Sequence, residues 1–288
     1  MSYLKTVSFF GAGVLALCTA AVAAISTLPA TAQSPQQPAP AAPATQAGAD
    51  NLPMSTAEII RRFSANESQF RTERGNYTYT QSVLVEASLA DGSQSGRYEM
   101  NRDIVFTPEG KRYEKVTYAP QSTLKVIQLT PQDMKDLESI QPFVLTSEDL
   151  SKYDVKYDGK ERIDALDTYR FNVGPRKIEK DQRYFQGTIW VDDHDFAIVK
   201  SDGKAVPDII EKGRENRFPR FVTYRENIEA NYWFPTYTRA DDTLHFDNGD
   251  IRVRMTVRYR NYKRFGSTVR IGPSTAIDTP EPAAPPTR

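Results

Sequence analysis

After Gly75 the apolar residues of this chain recur at every second position, and the pattern continues through most of the sequence up to Tyr259. Tyr77, Tyr79, Val83 and Val85 alternate with Thr78, Thr80 and Ser82; beyond the turn residues Asp91-Gly92 the alternation resumes at Tyr98, Met100, Ile104 and Phe106. A period of two is the repeat of a strand with one buried and one wetted face, and a helix cannot satisfy it. The same reading predicts strands at 112–118, 124–129, 152–157, 168–173, 184–191, 196–200, 220–228, 232–238, 243–246 and 251–259. That is about a dozen strands joined mostly by short turns, for which an antiparallel meander is the economical topology.

The strand at 251–259 shows the two faces most plainly. Ile251, Val253, Met255, Val257 and Tyr259 share one side, and Arg252, Arg254, Arg258 and Arg260 the other. The arginine side reads either as a docking surface or as a wetted face paired with acids such as Asp241, Asp242 and Asp247, and cross-strand pairing of opposite charges favours the second.

Helices are few. Ser55 followed by Glu58 has the spacing of a capping box, Ile59, Phe63 and Phe70 fall on one face with Ile60 beside them and Arg61, Arg62 and Glu67 elsewhere, and Gly75 is a natural stop. Pro131 opens a second helix over 131–137. The charged stretch from Pro207 to Arg217 has room for one short helical turn as an insertion between strands. Two helices cannot cover the whole apolar face of so many strands, so the sheet must close on itself or leave an apolar concavity. Residues expected to line that concavity are Phe63 and Phe70 of the first helix with Val83, Val85, Met100, Ile104, Phe106, Phe171, Val253, Met255 and Val257 of the strands. Ordinary core packing is the competing role for each.

The ends read differently from this body at 54–271. Lys5, an apolar run from Val7 to about Leu28 and the small-residue tripeptide Ala30-Thr31-Ala32 have the pattern of a secretory signal peptide over 1–32. An uncleaved inner-membrane anchor is the alternative. Residues 33–53 hold five Pro, six Ala and four Gln, the composition of a disordered linker, and the tail at 272–288 is likewise Pro-rich and expected to be disordered.

Composition narrows the chemistry. Lys and Arg number 37 against 37 Asp and Glu, which leaves no field to steer the chain onto nucleic acid. The single cysteine, Cys18, falls in the signal segment, so a disulfide framework is excluded, and two histidines do not supply an ordinary zinc site. Asp192-Asp193-His194-Asp195 resembles a metal cluster only in composition, because side chains of a tight hairpin diverge and Asp serves turns for backbone reasons. His245 alternates with Leu244 and Phe246 and therefore faces solvent. No nucleophile elbow, phosphate loop or dinucleotide fingerprint occurs in the body. The expectation is a protein with no catalytic residue, no metal and no cofactor.

Three consecutive segments carry a family resemblance: Leu166-Asp167-Thr168-Tyr169-Arg170-Phe171-Asn172-Val173-Gly174-Pro175, then Tyr184-Phe185-Gln186-Gly187-Thr188-Ile189-Trp190-Val191-Asp192, then Phe196-Ala197-Ile198-Val199-Lys200. A strand ending in a Pro-containing turn, a charged loop, a strand ending in valine-aspartate and an apolar strand after it resemble the outer-membrane lipoprotein-sorting (LolA-like) proteins. The resemblance implies a mainly β fold, a curved, incomplete antiparallel β-barrel of about 11–12 strands with a helical lid over an apolar cavity. It also implies a periplasmic carrier that takes acyl chains of lipoproteins or other lipids, with membrane-bound donor and acceptor proteins as partners. An envelope-stress or lipid-sensing regulator of the same fold is the alternative, and an uncharacterised hydrolase a more distant one. The stretch from Gly203 to Phe246 departs from the compact carriers and leaves the cargo open.

Overall fold

In the computed structural model the described residues are 52–107, 111–211, 214–229 and 232–265. The expected signal segment, nearly all of the 33–53 linker and the tail at 272–288 lie outside them. The chain runs α1 (Thr56–Arg74), β1 (Tyr77–Leu89), β2 (Gly96–Phe106), β3 (Arg112–Tyr118), α2 (Pro131–Ser139), β4 (Tyr153–Ile163), β5 (Leu166–Pro175), β6 (Tyr184–Asp192), β7 (Ile198–Val206), β8 (Ile209–Glu211), β9 (Arg214–Asn216), β10 (Phe221–Glu229), β11 (Tyr232–Phe246) and β12 (Gly249–Arg264). Ten strands form one sheet in the order β3-β2-β1-β12-β11-β10-β7-β6-β5-β4, and β8 pairs with β9 in a separate hairpin. Every pairing is antiparallel. The sheet is not closed: β3 and β4 are its edges. A large, open antiparallel sheet is what the alternation in the sequence implies.

The alternation explains the register. Val83 stands opposite Val257 and Val85 opposite Met255, so the apolar sets of β1 and β12 meet on the inner face. On the outer face, Arg170, Trp190, Lys200, Tyr224, Tyr237 and Arg258 stand opposite one another in a row from β5 to β12. The Lys200 ammonium lies 4.1 Å from the centre of the Trp190 ring, and the Arg258 guanidinium 5.3 Å from that of Tyr237. Such cation–π contacts tie neighbouring strands together on the wetted side. Farther along β12, Arg252 donates to both oxygens of Asp241, and Arg254 also pairs with Asp241. Asp242 instead accepts from the Arg220 amide, and the Asp247 amide donates to Glu215.

Ile59, Phe63 and Phe70 of α1 are buried on the inner face. Glu67 is buried with them, contrary to the expectation that placed it elsewhere on the helix. Residues 59, 63, 67 and 70 follow the i, i+4, i+8, i+11 spacing of one helical stripe, and Arg225 of β10 meets the carboxylate at 2.9 and 3.1 Å. The same guanidinium donates to the Phe143 carbonyl and lies 5.0 Å from the centre of the Phe70 ring. Only half of the expected capping box forms at α1. The Ser55 hydroxyl accepts from the Glu58 amide, but the Glu58 carboxylate turns to Arg61 and Arg62, whose hydrogen bonds hold it down at about 2. The complete box is at α2, between Thr130 and Asp133.

Three elements differ from the sequence expectation. Residues 124–129 are not a strand: Leu124, Val126, Ile127 and Leu129 pack on the core from an irregular strap. The strap crosses β2 at Gly96, where a Cβ would lie 2.1 Å from the Thr123 carbonyl oxygen. An apolar run without a ladder partner has packing but no strand. The stretch 207–217 holds the β8–β9 hairpin rather than a helical turn, and the expected strands at 232–238 and 243–246 are one continuous β11.

Candidate functional site

The inner face is closely packed beneath Ile59 and Phe63 of α1 and opens farther along the sheet. Phe63 meets Phe171 with ring centres 5.5 Å apart, and Phe143 stacks on Phe185 at 4.2 Å. Toward the β11–β12 turn, which α1 does not cover, lies a cavity of about 720 Å3. Val85 of β1, Leu244 and Phe246 of β11 and Ile251, Val253 and Met255 of β12 form its floor. Val126, Ile127 and Leu129 of the strap, Leu137 of α2 and Phe218 form apolar walls, while Thr130, Asp133, Glu215, Asn216, Arg217 and Asp247 make a polar rim. The volume falls within the range of sites that enclose a single small molecule, about 300–1,000 Å3.

Buried polar contacts fix these walls. The Arg183 guanidinium, 2% exposed, reaches Asp136 of α2 and both the carbonyl and the side-chain oxygen of Asn216. Asn216 in turn donates to Thr130 and Asp133, at 2.9 Å each. The network thus joins α2, the end of the strap and the β8–β9 hairpin around one side of the cavity. Burial pushes the Asp136 carboxyl above its ordinary range, against the opposing pull of Arg183.

The residues expected to line a cavity divide into two groups. Val85, Val253 and Met255 line it. Phe63, Val83, Met100, Ile104, Phe171 and Val257 are buried away from it, Phe70 belongs to a small cluster with Tyr77 and Phe234, and Phe106 is half-buried against Phe265. The pattern in β12 already contained Ile251, and the alternation of Leu244 and Phe246 with His245 marked one more apolar edge. Phe218 carried no such signal, because it reaches the cavity from irregular backbone, and the apolar run of the strap read as a strand.

In the hairpin, ligand-type atoms of Asp192, His194 and Asp195 lie within 4.8 Å of one another. Asp192 accepts from the backbone amides of His194 and Asp195, and Asp195 accepts from the Trp233 indole at 3.0 Å and pairs with His194. Asn66 of α1 donates to the carbonyls of Asp195 and Phe196. These groups serve the turn and its docking against the helix. His245 is exposed beside Asp250.

The sequence matches no protein-family model and no curated protein. Among solved structures the chain is similar to a DUF1329 family protein from Desulfovibrio piger, at 13% identity and a TM-score of 0.38, over 75% of this chain and 95% of that one. It is similar to a LolA superfamily protein from Nitrosomonas europaea, at 15% identity and a TM-score of 0.33, over 73% and 94% of the two chains. A domain described as an outer membrane lipoprotein-sorting protein, from Vibrio parahaemolyticus, is 11% identical with a TM-score of 0.33, over 74% and 95%.

Proposed function

We propose that this chain is a periplasmic binding protein, not an enzyme, that carries lipid by taking an acyl chain of a lipoprotein or other lipid into the cavity, in the service of outer-membrane lipoprotein sorting. The observation that supports this reading is the unfilled space of about 720 Å3, with its apolar floor and polar rim. That division suits an amphiphile, whose tail contributes about 0.8 kcal/mol for each methylene removed from water, before the cost of ordering it. Val85, Val253 and Met255 touch the tail, together with Leu244, Ile251 and Phe218. The strap and α2 act as the lid, and unloading follows when an acceptor protein offers the chain a better site.

Export rests on Lys5, the apolar run after it and Ala30-Thr31-Ala32. Among the described residues no helix is long and apolar enough to cross a membrane. Mass spectrometry of an organic extract from gently purified protein tests the reading. About one equivalent of an acyl lipid supports it, and a lipid-free protein that holds a metal ion tightly contradicts it.

A further inference from the structure

A second cavity, of about 350 Å3, lies between the last turn of α1, β1, β2, β12 and α2. Arginines and tyrosines distinguish its lining from that of the first. Arg71, Arg74 and Arg102 line it against one carboxylate, Glu138, and the rings of Tyr79, Tyr259 and Tyr262 form much of the remainder. Arg71 is paired with Asp149. Arg74 lies with its guanidinium 5.9 Å from the centre of the Phe70 ring and, among the described residues, has no carboxylate at ion-pair distance.

Arg102 is the buried member, its side chain 5% exposed. Its Nε donates to Gln81 at 2.6 Å, and its Nη1 to Glu138 at 3.0 Å and to Glu114. These contacts leave Nη2 without a partner among the described residues. Both glutamates lie nearer solvent than the arginine, at 29% and 45% exposure, so the carboxylates sit outward and the guanidinium faces inward. The Nη2 edge is thus open to an acceptor that enters the cavity, and a planar guanidinium matches the geometry of a carboxylate or a phosphate.

We propose that this cavity binds a small anionic group, a phosphate or a carboxylate, held by Arg74 and the free Nη2 edge of Arg102 with the Tyr79 hydroxyl as a further donor. The Tyr259 hydroxyl donates to the Gln141 side-chain oxygen at 3.4 Å. The Tyr262 hydroxyl is already committed to the Pro235 carbonyl. Leu137 lines both cavities. The anion is therefore either a free ion or the head group of an amphiphile whose tail lies beyond Leu137.

Calorimetric titration of the full chain with inorganic phosphate and with dodecyl phosphate below its micelle concentration separates the two sources, and dodecyl maltoside reports the apolar cavity alone. Saturable, Arg74-dependent binding of inorganic phosphate supports the site and identifies a free anion. Arg74-dependent binding of dodecyl phosphate without that of inorganic phosphate supports it and identifies a head group. In either case Arg74→Ala is expected to weaken binding by about tenfold or more, the scale of one charge-assisted hydrogen bond. Tyr79→Phe should weaken it less, and Arg258→Ala on the outer face should leave it unchanged. No binding of either phosphate, or equal affinity in wild type and Arg74→Ala, overturns the proposal. Dodecyl maltoside binding stands or falls separately, so failure of the carrier reading is distinguishable.

Discussion

Glu67 and Arg225 hold α1 to the sheet with a pair of charges that are 2% and 3% exposed. Removing one partner of such a pair strands the other, so Glu67→Gln is expected to cost about 3–5 kcal/mol, read as a fall in the urea midpoint at constant slope. The double variant Glu67→Leu with Arg225→Met should recover most of that loss, because the need for charge disappears together with the charge. The stripe that carries Glu67 is legible in the spacing of Ile59, Phe63 and Phe70. Its acid was not, because the partner that makes burial tolerable is 158 residues away in sequence. His194 gives a second test at this scale. Its hydrogen bond to Asp195 raises its pKa above the ordinary 6.5. The raised value means that the contact's contribution to stability is fully present below the unfolded-state pKa and fades as pH rises through the folded one. An NMR titration should place His194 above 6.5, and Asp195→Asn should bring it back toward that value.

Strands were readable wherever one face is buried and the other wetted. β1, β2 and β12 announce themselves by alternation, and Gly92, with φ +79, lies in the β1–β2 turn that Asp91-Gly92 marked. The strap at 124–129 shows where this reasoning stops: its composition is that of a strand, but its backbone joins no ladder. What holds it is packing and the crossing at Gly96. Gly96→Val should displace the strap, because the added Cβ would meet the Thr123 carbonyl at 2.1 Å. Hydrogen exchange should then speed up over 123–129 while α1 keeps its protection. The β8–β9 hairpin was obscured by its charges, Asp208, Glu215 and Arg217, which pair with one another, while its tie to Arg183 and α2 runs through the uncharged Asn216. Asn216→Ala removes the side-chain oxygen that receives Arg183 and the amide that reaches Thr130 and Asp133. A loss of about 1–3 kcal/mol in stability is expected, from buried groups left unsatisfied.

For the molecule as a whole, the open sheet and its apolar interior followed from counting strands against helices. The position of the unfilled space did not. It depends on how far α1 extends along the inner face and on where the strap and Phe218 come to rest, and neither is encoded in a local period. Thus Phe63 and Phe171, strong apolar candidates by sequence, pack against each other, while Leu244 and Ile251 face the cavity. The claim at the centre of this account is that the cavity accepts one acyl chain, and Leu244→Trp tests it by filling that space from the floor. Titrated with dodecyl maltoside and observed by native mass spectrometry, the wild-type chain is predicted to retain one detergent molecule. The variant, at an unchanged unfolding midpoint, is predicted to retain none. Equal retention by both proteins, or none by the wild type, would contradict the account.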